Sequence, residues 1–329
     1  MTTSRKTILK GRRGALLCFL ALAGLSFPVT AQKMPKVGVT PAGSPPDRFA
    51  TGFRRGLAEH GWQEGKNIVV EYRYAGGRTD RYKGFREEFV RSGVDVIVSG
   101  GGTVAARVAM QTTQSIPIVV PIMADPVAAG LVTNLARPGG QITGLSLMIA
   151  DWSGKRVELL REAFPKMRRI AALLDPSTDL GQRVTAERAA KQFAFELLVV
   201  SATHPDELQQ AIEQATMGGA QGMVVFTSAM LNANRRRIVE LIERNRLPAI
   251  YENREYLEVR GLMSYGPDLS EMYRVSAKYV DRILRGARPG DLPIEQPTKF
   301  ELLVNLRAAR ALGVELPRSF LLRADQVVE

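Results

Sequence analysis

A glycine-rich turn carries the residues best suited to bind a small anion. Ser99 ends an apolar run, and Gly100, Gly101 and Gly102 lead into a helical pattern that begins at Thr103. At a strand-to-helix turn, free backbone N–H groups and the helix dipole attract negative charge, and glycines let a carboxylate approach the backbone. We therefore predict a carboxylate site at Gly101, Gly102 and Thr103, with a tight turn capped by Thr103 as the structural alternative.

Two aspartates follow predicted strands and could pair with a ligand ammonium group. Asp125 and Asp175 each end an apolar run, and each precedes a proline. A buried amine needs a paired anion, because removing an unpaired charge from water is costly. A helix cap followed by proline at the first helical position explains the same pattern, so both interpretations stay open.

Further polar and aromatic side chains occupy similar positions. Thr227 ends a strand and could donate to a ligand, as could Ser44 in the proline-rich turn after the first strand. Tyr251 follows a strand and Tyr265 lies in a later apolar segment, and either ring could stack on an aromatic ligand. Capping and ordinary packing are the alternatives for these residues.

The residue pattern gives little support for catalysis, cofactors or metals. The two histidines, His60 and His204, fall in predicted surface loops, and Cys18 is the only cysteine. No serine lies in a nucleophile elbow, and no spacing suits zinc. The glycine turn lacks the third glycine and the ribose-binding acid of a dinucleotide fingerprint. We expect a binding protein without cofactor or metal, and not an enzyme.

The first 31 residues have the pattern of an export signal. A basic leader from Arg5 to Arg13 contains no acid and precedes an apolar run that ends in Val29, Thr30 and Ala31. Small residues at these positions fit a signal-peptidase site, so we predict cleavage before Gln32 and a periplasmic mature protein. An uncleaved membrane anchor is the alternative.

The remaining charge gives no sign of a nucleic-acid partner. Setting aside five leader cations lowers the formal charge from +12 to +7. The densest basic run, 235–237, opens a predicted helix without a recognition helix or stacking aromatics beside it. We interpret this run as a solvated basic face.

Apolar runs alternate with amphipathic helical patterns in two successive series. Such alternation is typical of parallel sheets covered by helices on both faces. The predicted strands are 36–40, 68–74, 94–99 and 116–122, then the linking strand 142–148, then 170–174, 196–201, 222–227 and 248–251.

This pattern predicts an α/β fold of two Rossmann-like lobes joined by a multi-strand hinge. Each lobe is expected to be a parallel sheet flanked by helices, and ligands collect beyond the carboxyl ends of such strands. The predicted divisions are 1–31 for the signal, 36–145 with 264–290 for lobe one, and 146–263 with 291–329 for lobe two and the C-terminal tail.

Eight segments of the chain match a known sequence pattern: Gly65–Ile68, Asp125–Val127, Gly130–Val132, Leu135–Gly140, Ile142–Gly144, Gly261–Gly266, Leu292–Glu301 and Arg323–Glu329. In these segments the chain resembles the ABC-transporter substrate-binding proteins of the tryptophan/tyrosine-uptake type, which have a type I periplasmic-binding-protein fold. Two departures from the family pattern are Gln141, where asparagine is usual, and Arg260, where a second glycine is usual.

The resemblance implies a solute-binding component of an ABC importer that delivers an aromatic amino acid to a membrane permease. Because the family pattern is well matched around Asp125, we expect this residue to bind the ammonium, with the carboxylate at the glycine turn and the side chain near Tyr251. The residues alone imply only a small polar ligand that carries a carboxylate. A sensory protein or transcriptional regulator of the same fold, and an oxidoreductase, are the alternatives.

Overall fold

The computed structural model describes residues 33–329, so the predicted export signal lies outside the described residues. The strands are β1 (Lys36–Thr40), β2 (Val69–Tyr72), β3 (Val96–Ser99), β4 (Ile118–Met123), β5 (Ile142–Ser146), β6 (Arg169–Leu174), β7 (Glu196–Ser201), β8 (Met223–Val225), β9 (Ala249–Tyr251), β10 (Met263–Gly266), β11 (Glu301–Asn305) and β12 (Gln326–Val328). The helices are α1 (Arg48–Glu59), α2 (Tyr82–Ser92), α3 (Gly102–Thr112), α4 (Ile149–Ala163), α5 (Gln182–Gln192), α6 (Leu208–Met217), α7 (Ala229–Ala233), α8 (Arg235–Arg244), α9 (Glu255–Glu258), α10 (Leu269–Leu284), α11 (Leu306–Leu312) and α12 (Arg318–Leu321).

The strands form two sheets, which confirms the predicted α/β class. The smaller sheet has the order β2-β1-β3-β4-β5, and all its pairings are parallel. The larger sheet has the order β12-β11-β10-β9-β8-β6-β7 and is parallel except between β10 and β11. We use lobe one for the smaller sheet with α1, α2, α3 and α10, and lobe two for the larger sheet with the other helices.

Three passages of the chain connect the sheets. After β5 the chain enters α4, which packs on α5 in lobe two, and after β10 it enters α10, which packs on α1 in lobe one. The third passage runs beside β5, where the Ser146 N–H donates to the Glu295 carbonyl at 2.8 Å, before β11 rejoins the larger sheet. Such a multi-strand connection suits a hinge between two rigid bodies.

Helix α10 approaches α1 closely because two glycines line the crossing. A methyl group at Gly56 would lie 2.1 Å from the Arg274 carbonyl oxygen, and one at Gly52 would lie 2.5 Å from that of Ser270. This contact fixes α10 against the smaller sheet. It thereby brings Tyr273 to the carboxyl end of the strands, where its ring stacks on Phe49 with 5.2 Å between centroids.

Details of several elements differ from the sequence prediction. β10, which the predicted division assigns to lobe one, pairs within the larger sheet. The C-terminal tail also forms regular structure, because β11 pairs antiparallel with β10 and extends the sheet. The limits of the two lobes stay a proposal.

Candidate ligand-binding cleft

A cavity lies between the lobes at the carboxyl ends of β1, β3 and β4 on one side and β6, β8 and β9 on the other. The cavity has a volume of about 70 Å³, which is roughly five times the volume that one water molecule requires on the same measure. Its walls are formed by Ala42, Phe49, Thr79, Gly101, Gly102, Thr103, Val104, Ile122, Ala124, Leu147, Asp175, Ser177, Thr178, Thr227, Ser228, Ala229, Met230, Asn232, Glu252, Leu269 and Tyr273.

The glycine turn presents the uncapped N-terminus of α3 to the cavity. Gly101 is the N-cap residue, with φ +96°, and no side chain of residues 33–329 accepts a hydrogen bond from the first turn of the helix. The Thr103 hydroxyl instead accepts from the Ala124 N–H at 3.0 Å. Thr103 is therefore not the cap, and the first N–H groups of α3 have no side-chain acceptor.

Packing from behind explains why this turn needs glycine. A methyl group at Gly101 would lie 2.1 Å from the Tyr82 hydroxyl, and one at Gly100 would lie 2.2 Å from the Tyr273 hydroxyl. Gly102 also has a positive φ, +69°. The two tyrosine hydroxyls thus occupy the space that a side chain would need at these positions, and the backbone of Gly101 and Gly102 stays open to the cavity.

Asp175 belongs to the lobe two wall and holds two hydroxyl groups. Its Oδ1 accepts from the Ser177 N–H at 3.0 Å and from the Ser177 hydroxyl at 2.6 Å. Its Oδ2 accepts from the Ser228 hydroxyl at 2.7 Å. The carboxylate is thus both a local cap, as one interpretation predicted, and part of the cavity wall.

Glu252 is the second carboxylate of the lobe two wall. It is buried, and burial raises its pKa to about 8, although the Arg156 charge and the Thr227 hydroxyl oppose part of the rise. Burial likewise lowers the pKa of Arg156 to about 10. The Arg156 guanidinium donates to the Tyr265 carbonyl at 2.9 Å and to the Thr227 hydroxyl at 3.3 Å. Thr227 therefore links the buried arginine to the cavity.

Arg48 connects the lobes at the edge of the cleft. It begins α1 in lobe one, and its Nη1 lies 3.3 Å from Oε1 of Glu255 in α9 of lobe two. The same guanidinium also contacts Glu258. Burial raises the pKa of Glu255 to about 7, and the charge of Arg48 opposes this rise. These ion pairs require the lobes to lie close together, as they do in this structure.

Five of the predicted site residues lie around the cavity, and four do not. Gly101, Gly102, Thr103, Asp175 and Thr227 belong to its walls. The other four, Ser44, Asp125, Tyr251 and Tyr265, lie elsewhere.

Ser44 and Asp125 lie near the cleft but outside the cavity. Ser44 is exposed and belongs to a neighbouring depression that shares Phe49 with the cavity. The Asp125 Oδ1 accepts from the Val127 N–H at 3.0 Å and from the Ala128 N–H at 2.9 Å. This is the local capping geometry that the alternative interpretation predicted for Asp125.

The two predicted tyrosines pack against other aromatic rings. Tyr251 is buried in the core of lobe two and stacks on Tyr256, with 4.5 Å between ring centroids. Tyr265 lies near the hinge beside Trp152 and Phe300, whose own rings stack with 3.7 Å between centroids. Ordinary packing, the alternative for both residues, therefore describes their positions.

The sequence interpretation missed Phe49, Tyr273 and Glu252. Glu252 follows directly on Tyr251, so the alternation of side chains along a strand was the available signal: if one side chain enters the core, the next faces the opposite side. Tyr273 and Phe49 give no such signal, because their meeting depends on how α10 packs on α1.

Residues 33–329 show neither a metal-binding cluster nor a helix suited to a bilayer. No three His, Cys, Asp or Glu side chains come together there as metal ligands would. None of the helices in this part of the chain combines the length and apolar content that crossing a membrane requires.

Comparison with known proteins places these features in a family. A tyrosine-binding protein of Clostridioides difficile is 23% identical over 290 residues, which cover 87% of this chain and 83% of the relative. A conserved domain protein of Vibrio cholerae has a similar crystal structure, with a TM-score of 0.83, 27% identity, and coverage of 90% of this chain and all of the other.

A second solved structure shares the fold. It is an ABC domain from Streptococcus pneumoniae in complex with L-Trp, with a TM-score of 0.80, 24% identity, and coverage of 89% of this chain and 99% of the other. Residues 37–328 match the family described as ABC transporter substrate binding protein. The match spans both sheets and the cleft between them, and the chain is therefore a member of the ABC transporter substrate-binding protein family.

Proposed function

We propose that the protein captures an aromatic amino acid, with tyrosine and tryptophan as the leading candidates, in the cleft between its lobes. The observation that carries the proposal is the division of the cavity into an apolar wall with an uncapped helix N-terminus and a wall with two carboxylates. A zwitterion with a large apolar side chain matches all three features. The tyrosine-binding relative and the L-Trp complex support the same ligand class.

The apolar wall gives the ligand side chain its surroundings. Lobe one contributes Phe49 and Tyr273, together with Ile122, Leu147 and Leu269. An aromatic side chain buries about 150–250 Å², which at about 25 cal/mol per Å² corresponds to roughly 4–6 kcal/mol before the costs of association. Apolar contact therefore supplies most of the affinity, and the polar groups determine which ligands are accepted.

The ligand carboxylate is assigned to the first turn of α3. The N–H groups that follow Gly101 have no side-chain acceptor, and the Thr103 hydroxyl, which accepts from Ala124, still has its hydrogen to donate. An anion at this position gains from both the N–H groups and the helix dipole.

The ligand ammonium is assigned to the lobe two wall, to Glu252 with Asp175 beside it. Both residues are buried and both line the cavity. Asp125, the residue that the sequence favoured, caps its own loop and is replaced in this role. Pairing with an ammonium favours the ionised form of Glu252, whose pKa burial has raised to about 8.

Capture depends on contact with both lobes at once. A ligand that touches both walls favours the closed form by the extra contacts that this form provides. The pairs of Arg48 with Glu255 and Glu258 add contacts between lobes when the cleft is closed. A permease that recognises the closed form would then receive the ligand, and the protein itself would catalyse no reaction.

Delivery of this kind requires export. The basic and apolar pattern of residues 1–31 supports cleavage before Gln32 and a periplasmic location. The intact mass of the protein recovered from the periplasm tests this part, and a mass that still includes the first 31 residues would contradict it.

Thermal-shift screening of the exported protein tests the ligand class. A ligand that binds only the folded state stabilises it by RT ln(1 + [L]/Kd). We expect L-tyrosine or L-tryptophan to raise the melting temperature, and glucose and branched-chain amino acids to leave it unchanged. A rise with glucose or another uncharged solute, and none with aromatic amino acids, would contradict the proposal.

A further inference from the structure

Arg86 is a completely buried cation without a carboxylate partner. It lies in α2 with 0% of its surface exposed. Its Nη2 donates to the Ser99 hydroxyl at 2.7 Å, whereas Nε and Nη1 have no hydrogen-bond partner within residues 33–329. The ion pairs of this part of the chain do not include Arg86 either. A buried and unpaired charge is costly, so its position calls for an explanation.

The guanidinium remains charged at neutral pH. Burial lowers its pKa to about 10, and the hydroxyl groups of Tyr82 and Tyr273 oppose part of this shift. Arg86 thus keeps a full positive charge in the interior of lobe one, and no carboxylate of residues 33–329 forms an ion pair or hydrogen bond with it.

This charge lies directly behind the glycine turn. Ser99, its hydrogen-bond partner, is the residue before the turn. A methyl group at Gly101 would meet the Tyr82 hydroxyl and one at Gly100 the Tyr273 hydroxyl, and both hydroxyls lie close enough to Arg86 to affect its pKa. The guanidinium, the two hydroxyls and the uncapped N-terminus of α3 therefore surround one short stretch of backbone. The front of that stretch faces the cavity.

We propose that Arg86 is a positioning residue that makes the cleft select ligands with a carboxylate. It acts from behind the turn: its charge favours an anion at the first N–H groups of α3, and its bond to Ser99 holds the turn in place. The proposal rests on the proposed function and identifies the residue that gives the carboxylate subsite its preference. The missing partner of the buried cation is then the ligand itself.

The lobe two wall makes this charge necessary. Glu252 and Asp175 line the cavity, whereas no Lys or Arg does so. Without a positive charge on the opposite side, the Asp175 carboxylate, together with Glu252 once it is ionised, would repel an anionic group. With Arg86 in place, the cavity has a positive end and a negative end, which suits a zwitterion and disfavours a simple amine.

The test compares three ligands in the protein recovered after export, by calorimetry. L-tryptophan has both ionic groups, tryptamine lacks the carboxylate, and indole-3-propionate lacks the ammonium. For Arg86→Met we expect at least about tenfold weaker binding of L-tryptophan and indole-3-propionate, with tryptamine changed less than about twofold. Arg86→Lys should restore most of the preference for L-tryptophan over tryptamine. Arg91→Met removes an exposed charge from the same helix and should change nothing.

A purely structural role for Arg86 would give a different pattern. If Arg86→Met weakened the binding of all three ligands equally, the proposal would be overturned. If Arg86→Met did not fold, Arg86→Lys would decide, because a retained preference requires only the charge, and a lost preference would refute the proposal. Failure of the wild-type protein to bind any of the three ligands would instead refute the proposed function.

Discussion

The two walls of the cavity differ in chemistry although both are built from the carboxyl ends of parallel strands. Lobe one contributes Phe49, Tyr273 and a bare helix N-terminus, and Arg86 lies next to the turn that leads into this helix without lining the cavity. Lobe two contributes Asp175 and Glu252, which face the cavity directly. One wall is suited to an aromatic ring and an anion, and the other to a cation.

This difference explains why both lobes are needed to hold the ligand. Each wall recognises a different part of an amino acid, so neither lobe alone makes the full set of contacts. Closing the cleft brings the two sets together, and the ligand thereby favours the closed form.

The largest expected loss of affinity comes from adding a side chain to the glycine turn of lobe one. Gly101→Ala would introduce a methyl group 2.1 Å from the Tyr82 hydroxyl at a residue with φ +96°. Left-handed backbone costs about 1–2 kcal/mol for a residue with Cβ, and the clash adds to this. We expect loss of stability and at least about a hundredfold loss of affinity, measured by denaturation and calorimetry.

Gly84 provides the matched control for that substitution. It lies in α2, and a methyl group there would meet nothing within 4 Å. Gly84→Ala should leave affinity unchanged and slightly raise stability, since alanine favours a helix. Equal behaviour of the two variants would show that the turn does not form the subsite.

The lobe two wall is tested by Glu252→Gln. Removing the carboxylate should weaken the binding of an aromatic amino acid by about 10- to 100-fold, as expected for the loss of a hydrogen bond to a charged group. The affinity for an analogue without the ammonium should fall much less in this variant. Asp125→Asn serves as the comparison, because its carboxylate caps a loop, and calorimetry should show unchanged affinity. The reverse ranking would restore Asp125 to the ammonium site.

The two buried glutamates also predict how the unliganded protein responds to pH. Burial raises the pKa of Glu252 to about 8 and that of Glu255 to about 7, both above the ordinary value of 4.5. The folded state therefore binds more protons than the unfolded state between these values, so stability falls as pH rises from about 5 to 8. The melting temperature should fall less steeply with pH in Glu252→Gln than in the wild-type protein. An equal fall in both proteins would contradict the raised pKa of Glu252.

Ligand affinity should move in the opposite direction over the same range. An ammonium pairs with the ionised form of Glu252, whose population grows as pH approaches 8. We expect affinity to rise by about tenfold or more between pH 6 and 8, and this rise should be absent in Glu252→Gln. If affinity does not change with pH in either protein, Glu252 does not bind the ligand ammonium.

The smallest effect is expected at the edge where the walls meet. Arg48→Ala removes the contacts with Glu255 and Glu258 that connect the lobes. Because the arginine is partly exposed, we expect a loss of affinity of only about two- to tenfold, in a faster dissociation rate. Arg55, an exposed neighbour on the same helix that pairs within lobe one, is the control. An equal effect of Arg55→Ala would show that closure does not depend on Arg48.

The sequence was most informative about the fold and about which strand ends form the cleft. Continuous apolar runs separated by amphipathic helices predicted both series of strands, because such strands are buried on both faces. The rule that ligands collect at carboxyl ends then directed attention to the turns after β3, β6 and β8. Gly101, Asp175 and Thr227 indeed lie around the cavity.

The sequence and the structure point to different neighbours where one residue decides which way a side chain faces. Ala124 lines the cavity while Asp125 turns to its own loop, and Glu252 lines it while Tyr251 enters the core. Successive side chains point to opposite sides, so a shift of one position exchanges core and cleft. Sequence patterns locate strand ends only within a residue or two, which is too coarse to choose between such neighbours.

A crystal structure of the protein with L-tryptophan or L-tyrosine tests the proposed binding mode most directly. We expect a closed cleft, with the ligand carboxylate within about 3.2 Å of the first N–H groups of α3 and the ammonium at hydrogen-bond distance from Glu252 or Asp175. The ring should lie against Phe49 and Tyr273. A ligand bound in the reversed orientation, or anywhere outside the cavity, would contradict it.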